Sequence, residues 1–118
     1  TAVRETREEV AVALDAGQYL GQLDDVAPRT PDLPPLMVRP FLFALPRRTS
    51  PRPCSKEVAE AFWLPVADLG RPGVHRAVPL TLKGTVRVFP GYQVGSNLVW
   101  GLTERIITPL FRSLGLIP

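Results

Sequence analysis

The opening stretch TAVRETREEV (residues 1–10) places three glutamates and two arginines within six positions, from Arg4 to Glu9. At about 100° per residue, Val3, Val10 and Leu14 fall on one side of a helix, with Thr6 and Ala13 at its edge. Glu5, Glu8 and Glu9 then project from the opposite side, within an arc of about 100°. Gly17 is a natural stop signal, so the pattern predicts a helix over residues 2–15. Like charges at this spacing cost an isolated helix roughly a few tenths of a kcal/mol per pair. Two readings offset that cost. Arg4 and Arg7 can neutralise the acids through neighbour pairs such as Arg4 with Glu8, which leaves a plain solvated face. Alternatively, carboxylates on one face suit a hard divalent cation, Mg2+ or Mn2+, which prefers oxygen ligands. An arginine beside the first acid can then hold that carboxylate in orientation by a charge-assisted hydrogen bond. Such a site would bridge phosphate oxygens and offset charge in phosphoryl transfer.

The rest of the chain bounds what that helix can belong to. Its 118 residues make one domain at most, with room for a modest core. Hydrophobic content of 45% and charged content of 21% are ordinary for a soluble globular protein. The longest apolar stretches, such as PFLFALP (40–46) and LPVADL (64–69), are far too short to cross a bilayer. The first residues are acidic and helical in character, unlike a signal or transit peptide. Cys54 is the sole cysteine, which excludes an internal disulfide and a cysteine-based zinc cage. The cytoplasm is the default setting. The net charge of +3 is concentrated in RRTSPRP (47–53), which reads as a solvated, proline-stiffened loop. No basic stripe interleaved with aromatics accompanies it, so nucleic acid is not the expected partner.

Along the chain, QYLGQLDDV (18–26) reads as a short strand, and APRTPDLPP (27–35) as a loop, since four prolines in nine residues forbid regular pairing. LMVRPFLFAL (36–45) is the best candidate for a buried central strand, with Pro40 implying an edge position or a bulge. KEVAEAFWLP (56–65) reads as a strand running into a turn, and VADLG (66–70) as one helical turn ended by glycine. AVPLTL (77–82) and TVRVFP (85–90) form a hairpin around Lys83 and Gly84. YQVGSNLVW (92–100) is a further strand with a glycine interruption. LTERIITPLFRSL (102–114) is the closing helix, with Leu102, Ile106, Leu110 and Leu114 on a four-residue repeat and Pro109 costing a hydrogen bond or a kink.

RETREEV resembles the second half of the Nudix box, in which a loop glycine and a glutamate precede an Arg-Glu-x-x-x-Glu-Glu helix ending in a glycine. Arg4, Glu5, Glu8 and Glu9 occupy the matching places. The resemblance implies that Glu5, Glu8 and Glu9 bind the metal, Mg2+ or Mn2+, and that Arg4 orients them. Ala11 stands where the family usually has glycine; the departure is mild if the backbone there stays helical, since a left-handed turn would penalise alanine. The box's first half and the early strands would then precede Thr1. On this reading the fold is α+β, a Nudix-type α/β/α sandwich with a mixed central sheet, N-terminally truncated. Residues 1–118 are then the C-terminal portion of one Nudix domain, starting inside the Nudix-box helix and incomplete for activity by themselves.

LPPLMVRPFLFALP (33–46), EVAEAFWLPVADL (57–69) and PGYQVGSNLVWGLTERII (90–107) resemble, in order, later segments of the coenzyme A pyrophosphatase branch. The implied reaction is metal-dependent hydrolysis of the diphosphate bond of coenzyme A or acyl-coenzyme A. Its products are 4′-phosphopantetheine and adenosine 3′,5′-bisphosphate. A general base must deprotonate the attacking water. Family members draw it from a box glutamate or a later loop, which makes Glu8 and Glu57 the catalytic candidates, with Glu60 second. Each of the later two also reads as a surface acid beside the polar loop. Trp63 and Trp100 read as core anchors before adenine-stacking groups, and His75, in RPGVHRA, as a surface residue. Glu104 suits the positive end of the last helix's dipole. Nothing in the spacing decides whether Tyr92 or Arg39 faces a phosphate or the pantetheine arm. The alternatives are a Nudix hydrolase of another nucleoside diphosphate derivative, a non-catalytic Nudix-like binding module, or a basic nucleic-acid-associated domain. No membrane partner is expected, and a homodimer is allowed but not required.

Overall fold

The computed structural model describes residues 2–27 and 37–118. It divides into two compact units, one of Thr1–Leu23 with Arg39–Trp63 and the other of Asp24–Val38 with Leu64–Pro118. The loop expected over 27–35 and the start of the strand expected over 36–45 lie largely outside the described residues. The α+β class is borne out; the described strands form a two-stranded and a three-stranded sheet, each antiparallel.

The first unit begins with α1, Ala2–Val10. Val3, Thr6 and Val10 are its half-buried side, whereas the three glutamates are exposed. The helix ends at Val10 and does not reach residue 15, because Ala11 turns left-handed at φ 60°. The Ala11 N–H donates to the Arg7 carbonyl at 3.0 Å, the bond that closes an αL cap. Alanine is therefore in the conformation that penalises it, and its departure from the box pattern is not mild. Leu14 belongs to a separate 3-10 turn, Leu14–Ala16. Gly17 does more than stop a helix: a Cβ there would lie 2.8 Å from the Ala44 carbonyl oxygen.

Strands β1 (Gln18–Gln22) and β2 (Phe41–Ala44) pair with a register shift between Tyr19 and Gly21. Tyr19 packs against Phe43 at 5.4 Å between ring centroids. β2 starts only after Pro40, and its Phe41 is 43% exposed. It is one half of a two-stranded ladder, where a buried central strand was expected; Pro40 has no N–H with which to extend it. Residues 56–65 form no strand: after a turn in which the Glu57 N–H donates to Ser55 Oγ at 3.1 Å, the chain runs irregularly, with one bend at Ala59, as far as Pro65.

The second unit holds the core. Helical turn α2 (Val66–Leu69) ends at Gly70, as the sequence predicts. β3 (His75–Leu82) and β4 (Thr85–Val94) form the expected hairpin, with Lys83 and Gly84 both at positive φ, 51° and 77°. Such a turn matches the twist of the strands it joins. The stretch 92–100 is not one strand: Gly95, at φ 58°, turns the chain between the end of β4 and β5 (Asn97–Trp100). α3 (Leu102–Ser113) runs unbroken through Pro109. It buries Glu104, Thr108 and Phe111, and Leu114 is 62% exposed, so the burial follows another stripe than the leucine repeat. Leu69, Tyr92, Phe111 and Ile117 form the buried cluster, with the Phe111 ring edge-on to Tyr92 at 5.8 Å.

Candidate active site

The exposed side of α1 carries Arg4, Glu5, Glu8 and Glu9 together, as the sequence predicts. The Arg4 guanidinium lies 3.9 Å from a Glu5 oxygen and 3.8 Å from a Glu8 oxygen. Both distances exceed a good hydrogen bond, and all three side chains are more than half exposed. Such exposed pairs contribute little to stability. The donor set is all carboxylate oxygen, the chemistry of a hard cation. It is spread along a helix face without converging on a point, and among the described residues no three acidic, histidine or cysteine side chains are grouped to hold a metal. The far end of the helix is anchored from outside. The Cys54 N–H donates to the Glu9 carbonyl and the Arg52 N–H to the Val10 carbonyl, each at 2.8 Å. The turn bearing Glu57 follows three residues after Cys54, so the backbone ties that loop to the end of α1.

The half-buried side of the same helix walls a cleft of about 660 Å³. Thr6 and Val10 line it together with Phe43, Phe62 and Trp63, and with Arg47, Arg48 and Glu60. Trp63 is not the expected core anchor; it is 43% exposed, with its Nε1–H donating to the Thr49 carbonyl at 2.6 Å. The pair Arg47 and Arg48, read from the sequence as part of a solvated loop, has no ion-pair partner among the described residues. Their signal in the sequence was two adjacent arginines boxed in by prolines.

The NUDIX domain family matches residues 1–82. The chain belongs to the Nudix family. No individual curated protein matches it. Nudix proteins are pyrophosphohydrolases that hydrolyse nucleoside diphosphate derivatives with divalent metal ions, and that is the activity class of this chain. No described helix is long and apolar enough to cross a membrane.

The Nudix chain also holds a buried polar cluster in its second unit that the sequence did not disclose. His75 starts β3 and is no surface loop residue; its Nε2 lies 3.3 Å from Glu104 Oε1, and its ring stacks on Tyr92 at 4.4 Å. Glu104, only 5% exposed, also accepts from Thr108 Oγ1 at 3.0 Å. The helix dipole therefore explains only part of its placement. Tyr92 is fully buried, and its hydroxyl is 2.6 Å from Thr108 Oγ1. Burial pushes the Tyr92 phenol above its ordinary value, and the Thr108 hydrogen bond partly opposes this. The cluster pins α3 to the hairpin. Trp100, at 37% exposure, packs on Phe89 at 5.3 Å and is likewise not a core anchor. Arg39 is exposed.

Proposed function

We propose that this Nudix protein hydrolyses the diphosphate bond of coenzyme A or its acyl derivatives in the cytoplasm, giving 4′-phosphopantetheine and adenosine 3′,5′-bisphosphate. The observation that carries a working site is the shared exposure of Arg4, Glu5, Glu8 and Glu9 along α1 within the family match. The substrate reading rests on the three ordered segments that resemble the coenzyme A branch. Two of them, 33–46 and 57–69, lie inside residues 1–82.

In this reading Glu5, Glu8 and Glu9, exposed on one side of α1 and not drawn together in the structure, would hold Mg2+ or Mn2+ once their side chains turn onto it, and Arg4, 3.9 Å from Glu5 and 3.8 Å from Glu8, would orient the first two. When bound, the cation supplies charge that offsets the negative charge gathering on the split phosphates. Glu57 takes the proton from the attacking water, its turn held at the end of α1 by the Cys54 and Arg52 amides; Glu8 is the box residue that would serve instead. The test is coenzyme A cleavage with and without Mg2+ or Mn2+, alongside direct Mn2+ binding by electron paramagnetic resonance. Metal-dependent turnover, lost together with Mn2+ affinity in Glu9→Gln, is expected. Tight coenzyme A binding without turnover would refute catalysis. Metal-dependent cleavage of other nucleoside diphosphates but not of coenzyme A would refute the substrate.

A further inference from the structure

We propose that the uncovered edge of β4, residues 85–90, takes an extended acidic segment of a partner polypeptide as an added strand, one that carries an aspartate or glutamate between two apolar residues. The sheet leaves room for it. β5 pairs with residues 91–94 of β4, and at Gly101, φ 67°, the chain leaves the sheet for α3. Among the described residues no strand continues that line beside residues 85–90. The backbone N–H and C=O groups of such an edge are a template for strand addition. β3, on the other side of the hairpin, is blunted by Pro79, which has no N–H to offer, whereas residues 85–89 include no proline.

Side chains and charges define the occupant. In the hairpin register Val86 lies level with Thr81 and Val88 with Pro79, so both valines stand on one face. They are 64% and 65% exposed, more than any other large hydrophobic side chain among the described residues. Arg87, level with Leu80, stands on the other face. An added strand alternates in the same way, so its residues level with the valines are apolar and the one between them meets Arg87. The surroundings set the charge of that middle residue. Residues 69–103 contain no carboxylate. Arg76, Lys83 and Arg87 are exposed and have no ion-pair partner among the described residues. A carboxylate directly opposite Arg87 is therefore favourable, and a second cation is not. A second copy of this chain fits worse, because pairing Val86 of each β4 with Val88 of the other sets the two Arg87 side chains against one another.

The test is fluorescence anisotropy of the full chain with a short labelled peptide that holds glutamate between two valines. Binding is expected, and exchanging that glutamate for lysine should weaken it about fivefold or more, the scale of reversing one cross-strand charge pair. Arg87→Glu should invert the order, so that the lysine peptide becomes the tighter ligand; an arginine with only a structural role would leave the order unchanged. N-methylating the peptide at one alternate set of amides, those turned to β4, should abolish binding, and methylating the other set should not. Val86→Thr/Val88→Thr, which keeps the β-branching, should weaken the glutamate peptide about fivefold. With peptide bound, amide exchange should slow within residues 85–89. Circular dichroism confirms that each variant is folded. Binding that survives methylation of both sets, or an order that Arg87→Glu leaves in place, would overturn the assignment. So would binding of oligothymidylate but of no peptide, which gives the cations to nucleic acid. Slow exchange at residues 85–89 before any peptide is added would overturn it too. The edge is then already filled, by a second copy if the protection falls on dilution and by another stretch of the chain if it does not.

Discussion

Replacing Ala11 with glycine should stabilise the protein. Ala11 sits at φ 60° and closes α1 through its N–H to the Arg7 carbonyl at 3.0 Å. A side chain in the left-handed region costs roughly 1–2 kcal/mol. Glycine removes that strain and returns roughly 0.5–1 kcal/mol as extra freedom of the unfolded chain. The net gain is about 0.5–1 kcal/mol, or about 2–6 °C in Tm for a chain of this size. The closing hydrogen bond is a backbone one and survives the change. Urea unfolding followed by circular dichroism measures it, with an unchanged slope showing that both states keep their compactness. Ala11→Val should move the other way, because a β-branched residue tolerates this conformation worse. A glycine variant no more stable than the parent, with the valine variant equally unaffected, would refute the assigned backbone conformation.

Three further outcomes follow from the packing. Glu104→Ala should cost about 3 kcal/mol in urea unfolding, since it strips a buried acceptor from both His75 and Thr108, whereas Glu104→Gln should cost about 1 kcal/mol; a parent-like alanine variant would contradict the cluster. Burial raises the Tyr92 phenol, so above its ordinary value of 10.0 the unfolded chain releases that proton more readily than the folded one. Its contribution is thus complete below that pH and lost as pH rises, and Tyr92→Phe should flatten the alkaline fall in Tm at a cost of about 1 kcal/mol for the Thr108 bond. Gly17→Ala should destabilise the protein by about 1–3 kcal/mol, because the new methyl meets the Ala44 carbonyl at 2.8 Å; a neutral result by thermal melting would mean that strand β2 yields there.

Local chemistry was legible where neighbours in sequence set the structure. The acid face of α1, the Lys83–Gly84 turn, the α2 stop at Gly70 and the extent of α3 all depend on residues within a few positions of each other. Long-range placement was not. His75 and Glu104 are 29 positions apart, and neither shows in its own neighbourhood that the other will bury it. Trp63 and Trp100 have the composition of core anchors, yet Trp63 is drawn to a loop carbonyl and Trp100 sits near the end of a short sheet edge. Residues 56–65 alternate well enough for a strand, but an extended run forms one only when a partner strand is beside it, and a turn at Ser55 to Glu57 takes that place. Ala11 could be seen to matter, but the sign of its φ could not be read from the letters alone.

The sole cysteine of the chain is exposed, and its amide is hydrogen-bonded to the carbonyl of the last box glutamate, Glu9. A spin label or fluorophore attached to that thiol would therefore sit one backbone hydrogen bond away from the end of the carboxylate helix without any engineered mutation. Slow proton exchange at the Arg52 and Cys54 amides would report the same junction from the backbone. On the proposed metal reading, loading Glu5, Glu8 and Glu9 with Mn2+ should change the signal at both before any product is formed.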